Sequence, residues 1–203
     1  MNFIDSIKEK AKSEIKTICL PEAEDIRVLE AANKVETEGF AKIILIGNKE
    51  KTEKLANENN IDISKAIIVD PEKSEKYEEY SQAFYELRKA KGMTEEEAKE
   101  TLKEPIYFGT MMVKQGDADG LVSGAAHSTS NTLRPALQIL KTAPGTKLVS
   151  AFFIMDVPNC EYGEEGIFVF GDSGLNENPT SDQLAEIAAS SAKSFEQLVG
   201  KES

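Results

Sequence analysis

Residues 17–71 read TICLPEAEDIRVLEAANKVETEGFAKIILIGNKEKTEKLANENNIDISKAIIVDP. Three short apolar runs punctuate the stretch: Thr17–Leu20, closed by Pro21; Ala41–Ile46, closed by Gly47; and Ala66–Asp70, closed by Pro71. A strand that is apolar at successive positions, rather than at alternate ones, is covered on both faces, as in a parallel sheet. Between the runs lie two segments with helical spacing. Asp25–Glu38 places Ile26, Leu29, Ala32 and Val35 at helical period, with Gly39 suited to closing it, and Lys49–Asn59 is the second. The alternation predicts an α/β fold: an open sheet with right-handed crossovers and helices on both faces.

Working outward, residues 2–14 carry Phe3, Ile4, Ile7 and Ala11 at helical spacing. Downstream, residues 74–103 form a Glu/Lys-rich helical region interrupted near Gly92, and Thr94 with Glu97 suggests a capping box. Pro105 opens a helix through Lys114, and Gly120–Ser123 reads as a further strand. After residue 146 the texture changes. LVSAFFIMDV and GIFVFGD are strand-like around a turn-rich NCEYGEEG, which predicts a hairpin, and Thr180 or Ser181 caps a helix reaching about Val199. APGTK at 143–147 marks the expected boundary between a first α/β domain, 1–146, and the beginning of a second, 147–203. Two strands and one helix make a thin core. The second domain is therefore expected to be incomplete, with further sequence or a partner supplying the rest.

The chain has 203 residues, of which 40% are hydrophobic, so a packed core is expected rather than disorder. Its net charge is −12, with Lys and Glu mixed along most of its length. A nucleic-acid binder would show a basic face. No run of 18 apolar residues is long enough for a membrane span, and MNFIDSIKEKAKSEIK lacks the apolar centre of a secretory signal. Cys19 and Cys160 read as free thiols in a reducing compartment, so the expected location is cytoplasmic. An anion site in so acidic a chain must be local, built from a few well-placed cations.

That turns attention to arginine. Only Arg27, Arg88 and Arg134 occur among 24 basic residues, so surface duty falls to lysine and each arginine is a candidate for planar anion recognition. Arg27 lies among acids and suggests a local ion pair. Arg88 falls in the helical ELRKAKGMT segment. Arg134 belongs to GLVSGAAHSTSNTLRPALQ, residues 120–138. There a strand ends at Ser123, Gly124 permits a tight turn, and a hydroxyl-rich run leads into a helix, with Pro135 suited to its first turn. Open backbone amides after Ser123, the hydroxyls of Ser128 and Thr129, and the Arg134 guanidinium together suit a phosphate at the carboxyl end of a strand. The plainer reading has Ser128–Asn131 simply capping the helix. His127 is the only histidine; it suits acid–base work or, by preference, a hydrogen bond to loop backbone. Asp172 suggests loop construction. No phosphate loop, dinucleotide fingerprint, zinc helix or paired cysteines are present, and no metal site is expected.

LPEAEDIRVLEAA (20–32), ELRKAKGMT (86–94), PIYFGTMMVKQGDADG (105–120), DGLVSGAAHSTSNTLRPALQILKTAPG (119–145) and FGDSGLNENPTSDQLAEIA (170–188) occur in that order. In this the chain closely resembles the phosphate acetyltransferase (phosphotransacetylase) family along essentially its whole length. The resemblance implies reversible acetyl transfer, acetyl-CoA plus phosphate giving acetyl phosphate plus CoA, with CoA a substrate and no cofactor required. Phosphate butyryltransferases share part of the pattern, and a non-catalytic binding or assembly module of the same fold is the alternative from another class. The resemblance also implies two α/β domains like those of isocitrate and isopropylmalate dehydrogenases, and a homodimer. Arg88 and Arg134 match the family's arginines that hold the phosphoryl and CoA groups. The family's catalytic serine, its neighbouring arginine and the aspartate proposed as base are expected in sequence beyond Ser203, so these 203 residues are expected to be inactive alone.

Overall fold

The computed structural model describes residues 2–202. The elements follow the chain as α1 (Phe3–Ser13), β1 (Lys16–Leu20), α2 (Ile26–Glu38), β2 (Ala41–Ile46), α3 (Lys49–Glu58), β3 (Ile67–Val69), α4 (Tyr77–Arg88), α5 (Glu95–Leu102), α6 (Pro105–Gln115), β4 (Gly120–Leu121), α7 (Thr129–Ile139), β5 (Phe152–Asp156), β6 (Ile167–Gly171) and α8 (Ser181–Val199). Two compact units divide them: Lys8–Lys141, and Thr142–Ser203 together with the first seven residues.

The first unit is a parallel sheet of order β3-β2-β1-β4, in which Ile18 pairs with both Ile43 and Gly120, and Ile44 with Ile67. The pleat sends successive side chains to opposite faces. Ile43 and Leu45 of β2 join Leu20, Val28, Leu29, Ala32 and Ala56 in one core, under α2 and α3. Ile44 and Ile46 join Cys19, Tyr80, Phe84, Leu102, Phe108 and Met111 in the other, under α4, α5 and α6. Helices thus cover both faces, which is why β1 and β2 are apolar without alternation. β3 is the exception. It is an edge strand with Ile67 60% exposed, so the apolar run at 66–70 is not buried on both sides.

Helix ends follow their local chemistry. Asp25 caps α2, accepting from the Arg27 amide, and Gly39 closes it in the left-handed region at φ 72°. Thr94 and Glu97 form the expected capping box on α5, and Thr180 with Gln183 forms another on α8. Three readings are corrected. β4 ends at Leu121 rather than Ser123, because the amides from Gly124 onward turn to the Glu22 carboxylate. Pro135 sits inside α7 instead of in its first turn, buried, with no amide to offer the Asn131 carbonyl. β5 starts at Phe152, because its partner β6 ends opposite it at Gly171.

The second unit is an antiparallel β5–β6 hairpin packed on α8, whose Ile187 and Phe195 are buried. Asp172 builds the loop after β6, accepting from the amides of Gly174, Leu175 and Asn176 at 2.9, 2.9 and 3.1 Å. Among the described residues no helix is long and apolar enough to cross a membrane.

Candidate functional site

The chain runs β1, β2, β3 to one side and then returns to β4 on the other side of β1. The strand order therefore reverses between β1 and β4, where open α/β sheets present a crevice at the strands' carboxyl ends. Two loops meet there: residues 21–25 after β1 and 122–128 after β4. Glu22, 7% exposed, places its carboxylate into the second loop. Gly124 and Ala125 donate their amides to Oε2 at 3.0 and 2.9 Å; Ala126 and His127 donate theirs to Oε1 at 2.7 and 2.8 Å. His127 Nδ1 lies 2.7 Å from the same Oε1. Burial alone would push the Glu22 carboxyl up, but the bonds from Ala126, the His127 ring, Ala125 and the His127 amide outweigh it and hold it at about 2.

This arrangement overturns one expectation. The turn after Ser123 does make an anion-binding nest of amides, but its occupant is the protein's own Glu22, not an open place for a ligand. His127 belongs to the same assembly, its ring and amide both engaged with Glu22. Ser128 is the N-cap of α7, its hydroxyl accepting from the Asn131 amide at 3.3 Å, and Thr129 is an exposed residue of the first turn. Arg27 makes the local ion pair its neighbours suggested. Its Nε and Nη2 donate to Asp25 at 3.0 and 2.6 Å, and Nη2 also donates to the Ala125 carbonyl at 2.5 Å.

The remaining two arginines are brought together by three helices. On a helix, residues four apart share a face. Arg88 ends α4 one turn beyond Phe84, and Phe84 packs on the Tyr107 ring of α6 with centroids 5.7 Å apart. Gln138 of α7 accepts a hydrogen bond from the Tyr107 hydroxyl at 3.2 Å, and Arg134 lies one turn before it. Tyr107 thus stands between the Phe84–Arg88 face and the Arg134–Gln138 face. A cleft of about 290 Å³ opens beside it, lined by Glu104, Ile106, Tyr107, His127, Asn131 and Arg134. Burial pushes the Tyr107 phenol up, while the positive charges of Arg134 and then Arg88 oppose that rise; the net direction is upward.

Neither arginine has an ion-pair partner among the described residues, whereas Arg27 has one. Arg88 Nε is buried without a hydrogen-bond acceptor, a state that costs about 1–3 kcal/mol unless a ligand completes it. Two guanidiniums left unpaired in a chain carrying 36 carboxylates form a local positive site for an oxyanion. Sequence reasoning found both arginines through their rarity and missed Tyr107 and Glu22. Tyr107 is one of five tyrosines, in an otherwise apolar helix, and Glu22 is one acid among many; neither position carries a local signal.

Comparison with known proteins gives a consistent picture. The family described as "Phosphate acetyl/butaryl transferase" matches residues 2–203. A phosphate acetyltransferase of Acetivibrio thermocellus is 60% identical over 200 residues, covering 98% of this chain and 60% of that protein. One from Thermoanaerobacterium thermosaccharolyticum is 56% identical over 202 residues, covering 100% and 61%. Among solved structures, the EutD phosphotransacetylase from Staphylococcus aureus matches with a TM-score of 0.88 at 43% identity, covering 97% of this chain and 58% of that one. The chain spans about 60% of the length of these two curated relatives.

Proposed function

Because the chain belongs to the phosphate acetyl/butyryl transferase family, we propose that it forms the phosphoryl-binding part of an enzyme that moves an acetyl group between CoA and inorganic phosphate. The observation that carries this reading is the pair of arginines without ion-pair partners, Arg88 and Arg134, whose charges both act on Tyr107. Attack of the CoA thiol on acetyl phosphate asks three things of a protein. The thiol, with an ordinary pKa of about 8.5, needs a base. The tetrahedral oxyanion needs hydrogen-bond donors, and the departing phosphate needs cations. The two arginines supply the last. The base and the oxyanion donor belong, in this proposal, to the part of the family's length outside these 203 residues, so the chain alone binds without turning over.

The same reading gives two α/β domains of the isocitrate and isopropylmalate dehydrogenase type, the first at 1–146 and the second begun at 147–203. It gives a cytoplasmic homodimer acting on CoA, acetyl-CoA, phosphate and acetyl phosphate, without metal or redox cofactor and without nucleic-acid or membrane partners. Among the positions first read as ligand contacts, Arg134 and Arg88 are proposed to touch the phosphoryl group. His127, Ser128 and Thr129 are proposed to border it, with Ser128 and His127 engaged in holding the turn.

Titration of the chain with inorganic phosphate tests the site. Arg134→Ala and Arg88→Ala are each expected to weaken binding at least tenfold, since a hydrogen bond to a charged group contributes about 1.5–3 kcal/mol. Wild-type affinity in Arg134→Ala would sink the assignment. For the protein at the family's full length, rates with acetyl-CoA and butyryl-CoA decide the acyl group. Binding with no turnover on either donor points to the non-catalytic module.

A further inference from the structure

We propose that the Tyr107 hydroxyl is a third, neutral ligand of the anion site, donating a hydrogen bond to a phosphoryl oxygen held by Arg88 and Arg134. This rests on the phosphoryl-binding reading of the two arginines. Four observations carry it. Tyr107 lines the same 290 Å³ cleft as Arg134. Its ring is fixed against Phe84, one helical turn from Arg88. Its hydroxyl has a resting acceptor, Gln138, at 3.2 Å, which is long beside the usual O–H···O distance of about 2.7–2.8 Å. And Arg88, whose positive charge acts on the Tyr107 phenol after that of Arg134, has its Nε buried and unpartnered.

The chemistry follows from these positions. An anion between two guanidiniums leaves oxygen lone pairs that the two planar forks do not all fill. A phenol is a directional donor without charge, and burial keeps it protonated. Exchange of the weak bond to Gln138 for a bond to a charged oxygen is favourable, because charge-assisted hydrogen bonds are shorter and stronger than neutral ones. Gln138 is thus a resting acceptor that holds the hydroxyl in place until an anion arrives.

Calorimetric titration of the 203-residue chain with inorganic phosphate, comparing wild type with Tyr107→Phe, Gln138→Leu and Arg134→Ala, tests the assignment. Tyr107→Phe keeps the ring and its contact with Phe84, and is expected to weaken phosphate binding about tenfold. Gln138→Leu removes only the competing acceptor and is expected to bind phosphate as tightly as wild type or more so. Equal weakening in both variants would overturn the proposal, since the hydroxyl would then act only by bracing α6 against α7. Wild-type affinity in Tyr107→Phe, with loss in Arg134→Ala, would overturn it while leaving the arginine site standing. Absence of phosphate binding by the wild type would overturn the arginine site and this inference together. If Tyr107→Phe does not fold, Gln138→Leu decides alone: loss of affinity overturns the proposal and retention supports it.

Discussion

A carboxylate enclosed by four backbone donors, as Glu22 is between Gly124 and His127, responds to acid differently from one on the surface. Its pKa is held at about 2, below the ordinary carboxyl range. A depressed carboxyl contributes stability that is complete above its unfolded pKa and lost as pH falls through the folded one. Here the window runs from roughly pH 4.5 down to about 2, and the shift corresponds to about 2–4 kcal/mol. Glu22→Gln cannot reproduce the arrangement, because its amide group would point donors at donors. Urea unfolding of wild type and Glu22→Gln at pH 7 and near pH 2 is expected to show a gap of that size at pH 7 that shrinks strongly in acid. An equal gap at both pH values would show that shape, not charge, makes the site. The same residue explains a limit of sequence reading. The glycine and small residues at 124–126 correctly announced an anion-binding turn, but nothing local showed that the anion lies a hundred residues upstream in the same chain. Arg88 and Arg134 were legible because arginine is scarce. Tyr107 was not, because its role comes from the meeting of three helices rather than from spacing in any one of them.

At the scale of elements, the strand–helix alternation was readable because each run of apolar residues is covered on both faces, and helix ends were readable because caps act within four residues. Strand ends were not, because pairing is decided by the partner: β4 is cut short by Glu22 and β5 by the end of β6. The placement of α6 on the sheet depends on a residue that also has no local signal. A β-carbon added at Gly109 would lie 2.6 Å from Ile46 Cδ1 and 2.8 Å from Leu121 Cδ1, both closer than van der Waals contact allows. Gly109 therefore sets how near α6, and with it Tyr107 two residues before, approaches β2 and β4. Gly109→Val is expected to destabilise the chain by about 1–3 kcal/mol through overpacking. It is also expected to weaken phosphate binding, because α6 must move outward. Chemical denaturation and phosphate titration of the variant read the two effects separately. Unchanged stability would mean that the Ile46 and Leu121 side-chain tips absorb the added bulk.

For the molecule as a whole, the two compact units differ in how much apolar surface each encloses. Among the described residues, Ile187 and Phe195 are the buried apolar residues of the unit from Thr142 onward, and all the others lie in Lys8–Lys141. The β5–β6 hairpin leaves Phe153 59% and Phe170 56% exposed. A two-stranded hairpin has little stability of its own, and here one helix, α8, packs on it within its unit. In the other unit, β1 and β2 are paired on both edges and sandwiched between two cores. Local opening free energies follow enclosed apolar contact, so the two sheets should open at different cost. Native-state hydrogen exchange is expected to rank the amides accordingly. Those of Cys19, Leu20, Ile44 and Leu45 should exchange only through the largest openings. Those of Ile154 and Val169 should exchange about a hundredfold faster, which corresponds to roughly 3 kcal/mol less protection. Equal protection in the hairpin and the parallel sheet would mean that the units unfold as one cooperative body. The stability of the Thr142–Ser203 unit would then have to come from something other than the apolar surface it buries internally.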